Sequence, residues 1–274
     1  PNPNASPNDV MTFRAIPYDN KMFSSDTMLA GVSSSRNNLL DSPVKMQAKF
    51  QPIDDTPRYF KSTLQYSYDL CPKYKLYSHD VPSLVYQCIT FLYQQSGEGF
   101  EGIFRLNGMM SEVNKIQEIF NTDYDCDLSK LSPKPDVHSI ATLLKRYLRN
   151  LKDRLISDDV TYSLCQTIGQ NSISRANTSN DSIEQPSPTT SPSTLMTPKG
   201  VETFHDIFQS GVLPLNKGVL YVLFRYLRDV LKMGKHNKMT VSAMSVLMGP
   251  NLTQTDGGGQ ICIVLLENFN EVFA

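Results

Sequence analysis

Apolar residues recur at three- and four-residue steps in separate stretches of this chain, and between the stretches the period is lost. Val81, Leu84, Val85, Cys88, Ile89 and Leu92 fall on one helical face, with Pro82 suited to a first turn, and predict an amphipathic helix ending near Gly97. Val113, Ile116, Ile119 and Phe120 predict a second helix over about 111–120. Asp136 stands as an N-cap before Val137, Ile140, Ala141, Leu144 and Leu148, a third helix whose apolar side is widened by Leu143 and Tyr147. Further helical runs follow at Val219–Leu231, after Thr240 at Val241–Leu247, and from Ile261 to Phe273.

Several helices with almost no strand alternation imply an all-α fold, a helical bundle, and no internal repeat is present. Two stretches fall outside it. Residues 1–60 are rich in Asn, Ser, Pro and Asp without a helical or strand period, and are expected to be a flexible lead-in to a domain over 61–274. In residues 171–200 about two-thirds of positions are Ser, Thr, Pro or Asn, the composition expected of a disordered insertion.

Charge and cysteine usage narrow the chemistry. With 26 basic against 27 acidic residues the net charge is −1, so any charge-based recognition is local. The 5 cysteines lie far apart with no metal-ligand spacing and read as reduced intracellular thiols, mostly core filling. No apolar run approaches the roughly 20 residues of a membrane span, and no signal-peptide core is seen. Beginning at a proline and ending abruptly at Ala274, the chain reads as a fragment of something longer.

There is no phosphate-binding G-x-x-x-x-G-K-[ST] loop, no G-x-S-x-G elbow and no H-E-x-x-H, so nucleotide binding by this chain alone is not expected. Asp123, Asp125 and Asp127 imitate the first ligands of a calcium loop, but Leu128 replaces its glycine and Lys134 its bidentate glutamate, leaving a solvated turn as the reading. Three other elements are more informative in combination than singly. The first, Gly102-Ile103-Phe104-Arg105-Leu106-Asn107-Gly108, sets one arginine among apolar anchors between glycines; alone it also suits a surface or salt-bridged arginine. The second is Lys145 and Arg149, which at i and i+4 share a helix face pointing away from the apolar stripe, as in any solvated face. Asn237-Lys238-Met239-Thr240, with Thr240 capping a helix that ends in Gly249-Pro250-Asn251-Leu252, is the third, and its end could be a simple helix stop.

In this order the three elements resemble the Rho-GAP domain family: its G-I-F-R-x-x-G finger loop, its D-V-H-x-x-x-x-L-L-K-x-Y-L-R helix and its N-K-M-T and G-P-N-L stretch, over about Val81 to Phe273. The resemblance implies a GTPase-activating domain, not itself an enzyme. It would bind a GTP-loaded Rho-family small GTPase and supply Arg105 in trans as an arginine finger. Lys145 and Arg149 would support the finger loop and the contact surface, and Asn251 would help position the partner's switch regions. It also implies no cofactor of its own, GTP and Mg²⁺ belonging to the GTPase. A cytoplasmic protein in signal transduction is expected, brought to the cell cortex or plasma membrane by other domains of its parent.

Departures are visible. The family's usual L-P-x-P-L after the long helix is here Leu151-Lys152-Asp153-Arg154-Leu155, which leaves that loop's geometry open, and an asparagine common after the N-K-M-T stretch is Ala243. Two rivals remain: a same-fold module that binds a GTPase without activating it, against which Arg105 argues, and a helical scaffold. Ser/Thr-Pro pairs at Ser6, Ser42, Thr56, Ser187, Ser191 and Thr197 suit proline-directed kinases.

Overall fold

Helix starts need something to satisfy, or to do without, the first free N–H groups. Thr63, Asp136, Thr197 and Thr240 each accept a backbone N–H three residues on, from Tyr66, Ser139, Gly200 and Ala243. Pro198 and Pro214 open their helices where no N–H is required. The computed structural model describes residues 58–178 and 196–274, with backbone alone for 172–178. Its helices are α1 (Leu64–Asp69), α2 (Ser83–Gln94), α3 (Met110–Thr122), α4 (Val137–Arg149), α5 (Asp158–Thr178), α6 (Pro198–Gly211), α7 (Pro214–Lys232), α8 (Gly234–Asn237), α9 (Val241–Leu252), α10 (Gly258–Glu267) and α11 (Phe269–Val272). Among the described residues the strands are β1 (Lys75–Leu76) and β2 (His79–Asp80), an antiparallel hairpin pairing Lys75 with Asp80. The fold is therefore the all-α bundle that the periodicity implies.

α4 packs against α2, α3 and α9, while α9 packs on α10 and α5 on α6. Its buried stripe, Ile140, Ala141, Leu143, Leu144, Tyr147 and Leu148, meets Leu84, Val85, Cys88, Ile89 and Leu92 of α2 in one core. Each large aliphatic residue so buried contributes about 1.5–3 kcal/mol, which anchors α4 firmly in the bundle.

Several boundaries differ from expectation. Pro82 precedes α2 as its N-cap instead of lying in the first turn. The run from Ile261 to Phe273 is two helices, broken at Asn268, whose backbone N–H and side-chain amide both return to the Val264 carbonyl. α5 extends to Thr178 and α6 starts at Pro198, inside the Ser/Thr/Pro-rich stretch; residues 179–195 of that stretch, like the tail up to residue 57, lie outside the described residues. After α4 the departure from the proline-rich pattern has a use. Lys152 donates its backbone N–H to the Ser62 carbonyl at 2.8 Å, a bond no proline makes, while Leu151, Leu155 and Ile156 are buried.

All five cysteines are free, with Cys88, Cys126 and Cys262 buried. In the acidic turn, Asp125 accepts from Lys73 and Tyr74, Asp127 caps the Ser129 N–H, and Asp123 accepts the Asp125 N–H. Among the described residues no helix is long and apolar enough to cross a membrane.

Candidate functional site: a pinned loop and its free arginine

Between α2 and α3 the chain turns sharply at Gly102. Its φ of 66° favours glycine, and its carbonyl accepts the N–H groups of both Arg105 and Leu106 at 2.8 Å. A Cβ there would lie 2.8 Å from Leu106 Cγ. Phe104 also has positive φ, 65°, which costs a residue with a Cβ roughly 1–2 kcal/mol. Burial offsets that cost: Ile103 and Phe104 are fully buried, the Phe104 ring edge-on to Tyr226 with centroids 6.1 Å apart. The next residue, Arg105, is exposed, and among the described residues its guanidinium makes no hydrogen bond or ion pair.

The backbone around that free side chain is held from two sides. On one, α4 presents Ser139, Thr142 and Lys145 at three-residue steps along a single face. The Lys145 ammonium donates to the Phe104 carbonyl. Thr142 Oγ1 accepts the Gly108 N–H and Ser139 Oγ the Met109 N–H, both at 3.1 Å. The approach requires a glycine, because a Cβ on Gly108 would fall 2.2 Å from the Ser139 backbone. Burial, and then the neighbouring Arg149, lower the Lys145 pKa from its ordinary value.

On the other side stands Asn237, the buried first residue of the Asn-Lys-Met-Thr stretch. Its carbonyl accepts the Gly102 N–H at 2.7 Å, and its Nδ2 donates to the carbonyls of Glu98 and Val230 at 2.7 and 2.6 Å. Its Oδ1 accepts the Met239 N–H at 2.8 Å. One residue thus ties the 102–108 loop through its main-chain carbonyl, and residue 98, the end of α7 and the entry to α9 through its side chain. Sequence reasoning quoted the motif without giving Asn237 this part.

The other expected residues meet at a cleft of about 380 Å³, walled by Asn107 of the loop, Lys145 and Arg149 of α4, and Val246, Pro250 and Asn251 of α9. Arg149 is exposed. Asn251 is largely buried, its Nδ2 donating to Leu247 O at 2.7 Å, so its amide donor is engaged inside α9. Arg146, not singled out from sequence, bonds Asn114 and Gln117 and ties α3 to α4. The exposed apolar side chains Leu106, Met109, Met110 and Val246 accompany the loop and the cleft, another feature that periodicity alone leaves unread. Among the Ser/Thr-Pro pairs, Thr197 caps α6 and donates to Asn171 Oδ1 at 2.6 Å; the others lie outside the described residues.

Comparison with known proteins bears on the family and the fold. The RhoGAP domain model matches residues 82–257, and the chain belongs to that family. It is 28% identical over 188 residues to the GTPase-activating protein BEM3 of Saccharomyces cerevisiae, covering 64% of this chain and 15% of that protein. A probable Rho-type GTPase-activating protein 2 from Schizosaccharomyces pombe is 30% identical over 193 residues, covering 70% of this chain and 13% of that one. The chain therefore spans about a seventh of the length of these curated relatives. The crystal structure of human Rho GTPase activating protein 15 shares the fold, with a TM-score of 0.61 at 20% identity, over 79% of this chain and 92% of that one.

Proposed function

We propose that this domain binds a GTP-loaded Rho-type GTPase and accelerates its GTP hydrolysis by inserting Arg105 in trans. The observation that carries the reading is an exposed guanidinium, unpaired among the described residues, on a loop whose backbone is fastened by α4 and Asn237. Phosphoryl transfer spreads negative charge over the phosphate oxygens, and catalysis of it is mostly positioning and neutralisation. A planar, permanently charged fork suits that task if it reaches the site without first breaking bonds of its own. An arginine finger is worth about 10³–10⁵ in rate, or roughly 4–7 kcal/mol of transition-state stabilisation.

The other residues take supporting roles. Lys145 holds the finger backbone through the Phe104 carbonyl, and Arg149 offers its charge to the partner. Asn251 meets the partner's switch regions from the cleft wall through its oxygen, its Nδ2 being engaged by Leu247. Leu106, Met109, Met110 and Val246 supply apolar contact area. GTP and Mg²⁺ come with the GTPase, and the domain needs no cofactor of its own. Single-turnover GTP hydrolysis across a small panel of Rho-type GTPases tests the reading: stimulation of at least one member by about 10³ or more is expected. Intrinsic rates unchanged across the whole panel would sink it.

A further inference from the structure

α7 carries a second arginine cluster that the GTPase-directed cleft does not use. Arg225, Arg228 and Lys232, at i, i+3 and i+7, lie on one face of the helix and line a separate cleft of about 200 Å³ with Tyr221, Phe269 and Asn270. The Arg225 guanidinium lies over the Tyr77 ring, 4.2 Å from its centre, and that of Arg228 over Phe269 at 4.7 Å. Such stacking fixes a guanidinium while leaving its N–H edges available, so little ordering cost remains for a ligand.

Neither arginine has a carboxylate partner among the described residues. Arg225 meets tyrosine hydroxyls, its Nη1 donating to Tyr221 Oη at 3.4 Å with that of Tyr77 also in reach, and Arg228 Nη1 donates to Asn270 Oδ1 at 3.2 Å. The one carboxylate in the cleft, Asp229, is engaged: Oδ1 pairs with Lys232 at 2.7 Å and Oδ2 accepts from Tyr93 at 2.8 Å. The charge continues beyond α7, with Lys235 and Lys238 exposed, so residues 225–238 hold five Lys/Arg and one Asp in a chain of net charge −1.

We propose that this face binds a phosphoinositide headgroup at an anionic membrane surface, with Arg225 and Arg228 gripping a phosphate monoester. The local excess of positive charge matches a phosphate near −2 better than a single carboxylate. Three basic residues on one face of α7, with Lys235 and Lys238 following just beyond it, make a cluster of the size drawn to anionic lipids. Tyr77, 41% exposed beside Arg225, and Met233, 37% exposed after Lys232, supply the amphipathic flanks that sit at a lipid–water interface. A cleft this small, below the roughly 300 Å³ at which ligand pockets begin, admits a headgroup phosphate but no length of phosphopeptide.

The test is co-sedimentation of the 274-residue chain with three vesicle types: phosphatidylcholine alone, phosphatidylcholine with phosphatidylinositol 4,5-bisphosphate, and phosphatidylcholine with phosphatidylserine at the same total charge. Binding is expected to the bisphosphate vesicles first and to weaken with salt. Arg225→Gln with Arg228→Gln, which keeps the apolar stems, should weaken it by about 30-fold. Melting temperature should fall by no more than about 5 °C, from the lost ring stacking, and stimulation of a Rho-type GTPase in vesicle-free solution should not move, so failure here is distinct from failure of the activator reading. No binding, equal binding to both anionic vesicles, equal binding by the double variant, or capture by a phosphotyrosine peptide in place of vesicles would overturn the proposal.

Discussion

Two arginine-bearing loops rest on α4, and they use the arginine in opposite ways. After the helix, Arg154 turns its Nη1 back onto the carbonyls of Leu148 and Arg149 at the end of α4, and its Nε is buried without a hydrogen-bond partner among the described residues. That guanidinium is spent on holding its own loop. In the 102–108 loop the holding is done by Ser139, Thr142, Lys145 and Asn237, all acting on backbone atoms, and Arg105 is left exposed and, among the described residues, unpaired. An arginine available to a partner is thus recognised less by its own surroundings than by the other residues that have taken over its structural duties.

The largest effect expected from that contrast is on geometry at position 105. Arg105→Lys keeps the charge but loses the planar fork, and single-turnover hydrolysis should slow by about 10³ or more. A near-normal rate would mean that charge alone suffices and that the pinned geometry is beside the point. Gly108→Ala attacks the frame instead, forcing the loop off α4, and a displacement near 1 Å should cost about 10² in rate with helix content by circular dichroism unchanged. An unaffected rate would show that α4 does not set the loop. Arg154→Ala should do the reverse. Urea denaturation should register a loss of about 1–2 kcal/mol, discounted because the side chain is only partly buried, while hydrolysis per folded molecule stays the same. Loss of activity at full stability would erase the distinction between the two loops. The smallest effect concerns Ala243, half-buried beside the Thr240 cap, where an asparagine would add a polar contact. Ala243→Asn should raise activation by no more than about tenfold, read from the same kinetics. A large loss from a folded variant would mean that this face of α9 packs on something apolar.

The parts legible in the sequence were those where period and capping agree. α4 is the clearest case, since its apolar stripe and the Asp136 cap both point to one helix, and the cap bond to the Ser139 N–H is present. α5 and α6 escaped notice because their apolar positions, Val160, Leu164 and Ile168, then Val201, Phe204 and Phe208, are thinly spread beside Ser/Thr-rich sequence. They are held largely by packing on each other, a tertiary contribution that local propensity does not carry. The β1–β2 hairpin was hidden because its two turn residues, Tyr77 and Ser78, both take positive φ without the Asn-Gly pair that signals such a turn. Phe104 conceals the reversal of the 102–108 loop in the same way. Of the site, the motif order pointed to Arg105, Lys145, Arg149 and Asn251, and the structure brings the last three to one cleft. Asn237 as the loop's inner tie depends on four partners scattered from residue 98 to residue 239, which no local spacing reveals.

The central claim is that Arg105 contributes in the transition state and not to holding the complex. Arg105→Ala separates the two when single-turnover hydrolysis and affinity for the GTP-loaded partner are measured on the same preparation. The account predicts that acceleration disappears while affinity stays within about tenfold of the unaltered domain. Acceleration persisting at the unaltered level would contradict it.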